Sequence, residues 1–296
     1  MVRKKIAAYI YVYLVLLFIY LPVFYLIVFS FTNSKVTGQW SGFSWDLYQN
    51  LFTNKEILSA LGNTVIIAAI AALVSTLIGT LGAIGIYYCK RGFRAVIEGI
   101  NQIPVVNAEI VIAMSLTVMF VYMGQHFFGG NSIFSFWTLL VGHCCLAVPF
   151  VYLNVKPKLL QMDPALYEAA LDLGCSPSQA IHKVIIPQIL PGIFSGLLLG
   201  FTLSLDDFIV TAFTRGPGLL SGQSQIETLS TLVQAKIKKG TVPPAMRALT
   251  TIIFLIVLSI VIGYSVYVNH QAKKDKNAVS NGHQKRRESF HVSPLS

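Results

Sequence analysis

Residues 163–174 read Asp163-Pro164-Ala165-Leu166-Tyr167-Glu168-Ala169-Ala170-Leu171-Asp172-Leu173-Gly174, and Cys175-Ser176-Pro177-Ser178-Gln179 follow at once. The stretch lies between two apolar runs, about Ile133 to Val155 and about Ile189 to Ala212, each long enough to cross a bilayer. Asp163 suits an N-cap, and Pro164 suits the first helical position. Gly174 suits a left-handed stop. Ser176 and Gln179 have the spacing of a capping box that opens a second helix running toward Pro187. Leu166, Ala169, Ala170 and Leu173 form an apolar strip of mostly small residues. A short capped helix outside the hydrocarbon, with such a strip and no nucleophile–base pair or metal spacing, predicts a docking element.

Working outward, apolar runs recur. Six helical spans are predicted: about Ala7 to Phe31, Ala60 to Tyr88, Ile103 to Met123, Ile133 to Val155, Ile189 to Ala212 and Leu249 to Val268. The first run is too long and too aromatic for a cleaved signal peptide, so it reads as a retained span. Pro22, Pro104 and Pro149 are tolerable because neighbouring helices can satisfy the freed backbone groups. Composition agrees: of 296 residues, 54% are hydrophobic and only 11% charged, with a mean hydropathy of +0.66. A soluble fold carries about 25% charged residues, so the bilayer is the solvent for most of this chain.

The net charge of +10 sits mainly in loops and at the ends. Arg3, Lys4 and Lys5, then Lys90, Arg91 and Arg94, then Lys156, Lys158 and Lys183, then the tail lysines and arginines from Lys273 to Arg287 all fall on one side, which is therefore cytoplasmic. N- and C-termini are both expected there. The charge thus reads as topology and lipid contact, and no basic, aromatic-interleaved domain supports nucleic-acid binding. One segment dissents. Arg215, Lys236, Lys238 and Lys239 fall in an outer loop. Ile226, Leu229, Val233 and Ile237 recur there at helical spacing, predicting a helix flat on the outer surface with lysines reaching headgroups. The polar tail after His270 is expected to be disordered. Cys89, Cys144, Cys145 and Cys175 have neither disulfide-framework nor metal spacing and read as free, mostly buried thiols.

Glu168-Ala169-Ala170, then Gly174, then Val184-x-Ile186-Pro187 resembles the EAA loop of ABC importer permeases, with Val184 and Ile186 where that pattern expects Ile and Leu. From Ile6 to Asn269 the chain resembles spermidine/putrescine importer permeases of the PotC type. Asn63-Thr64, Asp172-Leu173-Gly174, Ile185-Ile186-Pro187 and Phe201-Thr202-Leu203-Ser204-Leu205-Asp206-Asp207-Phe208 carry the likeness. The resemblance implies an all-α type I ABC importer permease of six spans, residues 1–269, with the EAA loop at 163–187 and a basic tail at 270–296. It implies that Glu168, Ala169, Ala170, Asp172, Gly174 and Pro187 couple to an ATPase. It also implies partners: two copies of an ATP-binding subunit, a second related permease and an extracytoplasmic substrate-binding protein. No Walker A pattern occurs in the chain, so ATP and Mg are expected on the partner ATPase, with no cofactor, metal site or catalysis here.

Acids in a span are costly, about 2.5–3.5 kcal/mol for Asp near a helix centre on insertion scales. Asp206 and Asp207 lie late in the fifth span, toward the outer side. Adjacent helical residues point about 100° apart, so one can face a pathway while the other pairs elsewhere. Glu109, early in the third span and nearer the cytoplasm, reads either as an acidic step on an exit route or as an interfacial residue pairing with a loop lysine. Carboxylates attract a polyamine's ammonium groups, and aromatic faces add cation–π attraction, so Tyr25, Trp40 and Trp45 are further pathway candidates beside their belt reading. Alternatives stay open at this point: an ABC permease for another small solute, a secondary transporter using the acids as a proton relay, or an intramembrane enzyme, for which no Gly-x-Ser-x-Gly or His-Glu-x-x-His is present.

Overall fold

The computed structural model describes residues 2–34, 38–216, 225–240, 243–263 and 265–266. Among them there are helices and connections but no strands. The elements are α1 (Val2–Phe29), α2 (Asp46–Thr53), α3 (Lys55–Tyr87), α4 (Arg91–Val106), α5 (Glu109–Phe127), α6 (Phe136–Gln161), α7 (Ala165–Asp172), α8 (Pro177–Ala180), a π turn (Ile181–Ile185), α9 (Ile186–Asp206), α10 (Ile209–Thr214), α11 (Leu229–Lys238) and α12 (Ala245–Gly263). Among the described residues, six helices are long and apolar enough to cross a membrane. The basic tail predicted at 270–296 lies outside the described residues.

Two units are distinguished, Asn54–Val242 and the paired ends Met1–Thr53 with Pro243–Ser296. In the central unit, α3, α6 and α9 pack on one another. Lipid is as apolar as leucine, so close contact between small faces, not flight from water, holds them together. The buried face of α3 is accordingly Thr64, Ala68, Ala71, Ala72, Ser75 and Gly79, and α9 presents Gly192, Gly196 and Gly200. One end of the unit closes over a cluster of Ile84, Val151, Val155, Leu159, Ile185 and Ile189.

The third span differs from the expectation of Ile103 to Met123. Residues 91–106 fold as a separate helix, α4, which Pro104 and an extended backbone at Asn107 and Ala108 end before Glu109 opens α5. α4 turns a polar edge, Arg94 and Glu98, toward α6 and leaves Phe93, Val96, Ile100 and Ile103 exposed. Glu98 is the hub of that edge. It accepts from Arg94 Nε at 3.0 Å and from Tyr152 hydroxyl at 3.0 Å, and pairs with Lys156 at 3.0 Å. Burial pushes its carboxyl up, but the bonds from Lys156, Arg94 and Tyr152 outweigh burial and hold it below its ordinary value.

The lysine-bearing loop also differs. α11 does not lie flat and free: it packs on the start of α3. Asn63 Nδ2 donates to Glu227 O at 3.0 Å, and Thr64 Oγ1 accepts from Leu229 N at 2.8 Å. Its inner face is Thr228, Thr231 and Leu232, whereas Ile237 is exposed. Lys236 meets Glu56 at 2.9 Å. The four cysteines are free thiols, though none is fully buried and Cys145 is exposed on α6.

In the terminal unit, no residue of α1's most apolar window is buried. The connection from α1 to α2 is an aromatic knot. Phe31 stacks on Phe43 at 5.6 Å between centroids and meets Trp45 edge-on at 5.2 Å, and Tyr48 closes on both. Arg247, at the start of α12, donates to Ser34 O at 2.9 Å.

Candidate functional site

The fifth span carries a site at each end. At its start, Asp163 Oδ1 accepts from Ala165 N at 3.0 Å, and helix geometry begins one residue later than predicted, at Ala165. Cys175 N bonds Ala170 O at 3.0 Å and Gly174 N bonds Leu171 O at 2.9 Å, with Gly174 at φ +85°. This is the pair of bonds that satisfies a helix's last carbonyls around a left-handed glycine. Ser176 and Gln179 form the expected reciprocal box, at 3.1 and 3.3 Å. Pro187 has no N–H for the carbonyl of Lys183, and the wider π turn ends just before it.

The faces of α7 differ from the predicted strip. Ala170 is buried and Tyr167 packs against the cluster at the ends of α3, α6 and α9, with its ring 5.1 Å from that of Tyr88. Leu166 and Ala169 are exposed, and Leu173 is 86% exposed. Glu168 and Asp172 are exposed beside them. α7 is thus anchored through one tyrosine and one alanine and presents an apolar and acidic outer face.

At the other end α9 stops at Asp206, the chain breaks at Asp207 and Phe208, and α10 resumes. Asp207 is buried. Its Oδ1 accepts from Val210 N at 3.3 Å, and its Oδ2 accepts from Thr211 N at 2.8 Å and Thr211 Oγ1 at 3.0 Å. It therefore caps α10. Ser230 donates to the backbone oxygen of Asp207 at 2.7 Å. This corrects the expectation that a structural role leaves the burial of both acids unexplained, because charge-assisted bonds offset it for Asp207. Asp206 is instead exposed.

Glu109, also exposed, feels the charges of both Asp207 and Asp206. Thr117 of α5 donates to Phe213 O of α10 at 3.1 Å, where the two helices pack on one another. Glu109 opens α5, early in the third span as expected, and it lies within range of the charges of the Asp pair. Among the described residues, neither Glu109 nor Asp206 has an ion-pair partner. The aromatic candidates are not part of this group. Tyr25, Trp40 and Trp45 belong to the terminal unit, where Tyr25 and Trp40 flank Phe29 and Trp45 packs in the knot.

Sequence reading missed His143 of α6, although an imidazole inside an apolar run costs as the acids do. It is buried, with Nδ1 2.7 Å from Ser204 Oγ and Nε2 2.9 Å from Thr211 Oγ1. Gly142 seats it: a Cβ there would stand 2.6 Å from Val210 Cγ1.

Residues 75–274 match the family described as binding-protein-dependent transport system inner membrane component. The chain is 34% identical over 253 residues to the spermidine/putrescine transport system permease protein PotC of Haemophilus influenzae, covering 85% of this chain and 92% of that one. It is 32% identical over 241 residues to the putrescine transport system permease protein PotI of Escherichia coli K12, covering 80% and 81%. Its fold matches a bacterial ABC transporter structure involved in import of the acidic polysaccharide alginate, with a TM-score of 0.67 at 19% identity over 92% of this chain and 98% of that one.

Proposed function

This chain belongs to the binding-protein-dependent transport inner-membrane family, and from that premise we propose that it is a permease subunit of an ATP-driven polyamine importer. Relatives that carry spermidine/putrescine and putrescine permease names support the substrate class. The observation that carries the reading is the acid group at the break. Two exposed carboxylates, Glu109 and Asp206, stand beside the buried Asp207 within helices that cross the membrane. An unpaired acid on a span does not face lipid; it faces water, a pathway or a cation. A linear polycation meets that need, and the attraction is strong where screening is poor. The alginate importer, an anion carrier, shares the fold alone.

In this reading Asp206 and Glu109 line the path, Asp207 holds the break, and Tyr25, Trp40 and Trp45 offer aromatic faces to the cation. The exposed face of α7, with Glu168, Ala169, Asp172 and Leu173, seats on an ATPase. Ala170, Gly174 and Pro187 fix its shape. Two ATPase copies carry ATP and Mg, and a second permease completes the path. An extracytoplasmic binding protein delivers the substrate, the chain itself has no catalytic activity, and both termini are cytoplasmic.

The test is uptake of radiolabelled spermidine by the reconstituted complex. Asp206→Asn keeps size and removes charge; it is expected to lower spermidine taken up per ATP hydrolysed about tenfold, with assembly unchanged. Wild-type uptake by this variant at subsaturating spermidine would sink the assignment of Asp206.

A further inference from the structure

We infer that His143 is a positioning residue for cation passage: it clamps the break between α9 and α10 and so sets where Asp206 is held. The inference rests on the proposed role of Asp206.

Among the described residues, His143 hydrogen-bonds on both sides of the break. One ring nitrogen meets Ser204, in the last turn of α9; the other meets Thr211, in the first turn of α10. The direction of the bonds follows from the end of the chain. A carboxylate only accepts, so the hydroxyl of Thr211 donates to Asp207 Oδ2. The oxygen of Thr211 is then free to accept, and His143 must donate to it from Nε2–H. In a neutral ring Nδ1 is then an acceptor, and the hydroxyl of Ser204 donates to it. The run is therefore Ser204 to His143 to Thr211 to Asp207, satisfied at each step by a neutral imidazole protonated on Nε2. His143 Nε2 is also 3.8 Å from Asp207 Oδ2, so the ring fills the space against the cap itself.

α6 also packs directly on α9 and α10, and Thr138 of α6 donates to Thr214 O at 3.0 Å. Gly142 lets α10 come against α6 at this level, and Ser230 ties α11 to the backbone of Asp207. Asp206 is bonded to Asp207 by one peptide unit. A shift of the cap moves its carboxylate, and misplacement of about 1 Å can cost on the order of a hundredfold where geometry matters.

The experiment uses the whole reconstituted complex and reads spermidine uptake per ATP hydrolysed, a ratio that loss of folded protein alone does not change. His143→Asn reaches the position of Nδ1 and abandons Thr211. His143→Gln reaches the position of Nε2 and keeps Thr211. Thr211→Val is nearly isosteric and removes the relay hydroxyl. H143N, H143Q and T211V each give up one side of the clamp, and each is expected to lower the ratio about tenfold. A wild-type ratio in both H143N and T211V would overturn the inference; if H143N yields no complex, T211V alone decides. A wild-type ratio in H143Q would overturn the part of Ser204 in the clamp. Asp206→Asn, measured alongside, separates the two claims. D206N impaired with H143N and T211V normal removes only the positioning role, whereas a normal D206N removes the role of Asp206 and with it anything to position.

Discussion

The two ends of the fifth span are built by opposite means. At its start, α7, Gly174 and the Ser176 box are held by bonds between residues two to five apart. At its far end, the break at 206–208 is held by His143, 61 and 68 positions away from its partners, and by Ser230, 23 positions from Asp207. A locally capped loop can shift as a unit without losing its shape, which suits an element that docks and is pushed. A break clamped by three separate helices keeps its shape only while the helices stay in register, which suits a site where charges must be aimed.

The largest expected effect falls on the clamped end. Asp207→Ala removes three accepted bonds in a buried place and leaves the N–H groups of Val210 and Thr211 without their acceptor, while the Thr211 hydroxyl keeps the backbone oxygen of residue 207 at 3.3 Å. Loss of buried, charge-assisted bonds costs about 3 kcal/mol or more, so thermal melting of the detergent-solubilised complex should fall clearly. The outcome should differ in kind from Asp206→Asn, which lowers uptake and leaves melting in place. Equal melting for the two variants would erase the contrast between the cap and the pathway acid.

A smaller effect is expected at the locally capped end. Gly174→Ala places a Cβ at φ +85°, at about 1–2 kcal/mol, and nothing else lies within 4 Å of the added atom. The loop should refit with modest loss of melting temperature, while Glu168→Lys, which inverts charge on the exposed face of α7, should weaken co-purification with the ATPase. Loss of the folded permease in G174A, with the ATPase still bound by E168K, would reverse the assignment of shape and contact.

The smallest effect sharpens the comparison at a third place, the hub that ties α4 to α6. Glu98 is held below its ordinary 4.5, so its contribution is complete above that value and is lost as pH falls through the lower folded value. Between about pH 5 and pH 3 the melting temperature of wild type should drop slightly more than that of Glu98→Gln. Parallel curves would show that the hub adds nothing to stability.

Six spans, the coupling-loop geometry and the presence of costly acids were legible in the sequence, because each is a local matter: apolar length, cap spacing, glycine at a left-handed position, charge within a span. Local signals also misled. The apolar run through Val105 and Val106 hid the end of α4, so the third span was begun too early. The periodicity of Ile226, Leu229, Val233 and Ile237 named the wrong face for α11, because Asn63, Thr64 and Glu56 on a helix far away in sequence decide how it sits.

The sequence by itself determined that this protein lives in the membrane, how often it crosses and where the capped helix between the fourth and fifth spans lies, since insertion into hydrocarbon depends on composition over some twenty residues and capping on a few neighbours. Only the tertiary structure decided which of two adjacent aspartates is a cap and which is free. A carboxylate's role follows from the donors that reach it, and those of Asp207 include the hydroxyl that His143 of another helix holds in place.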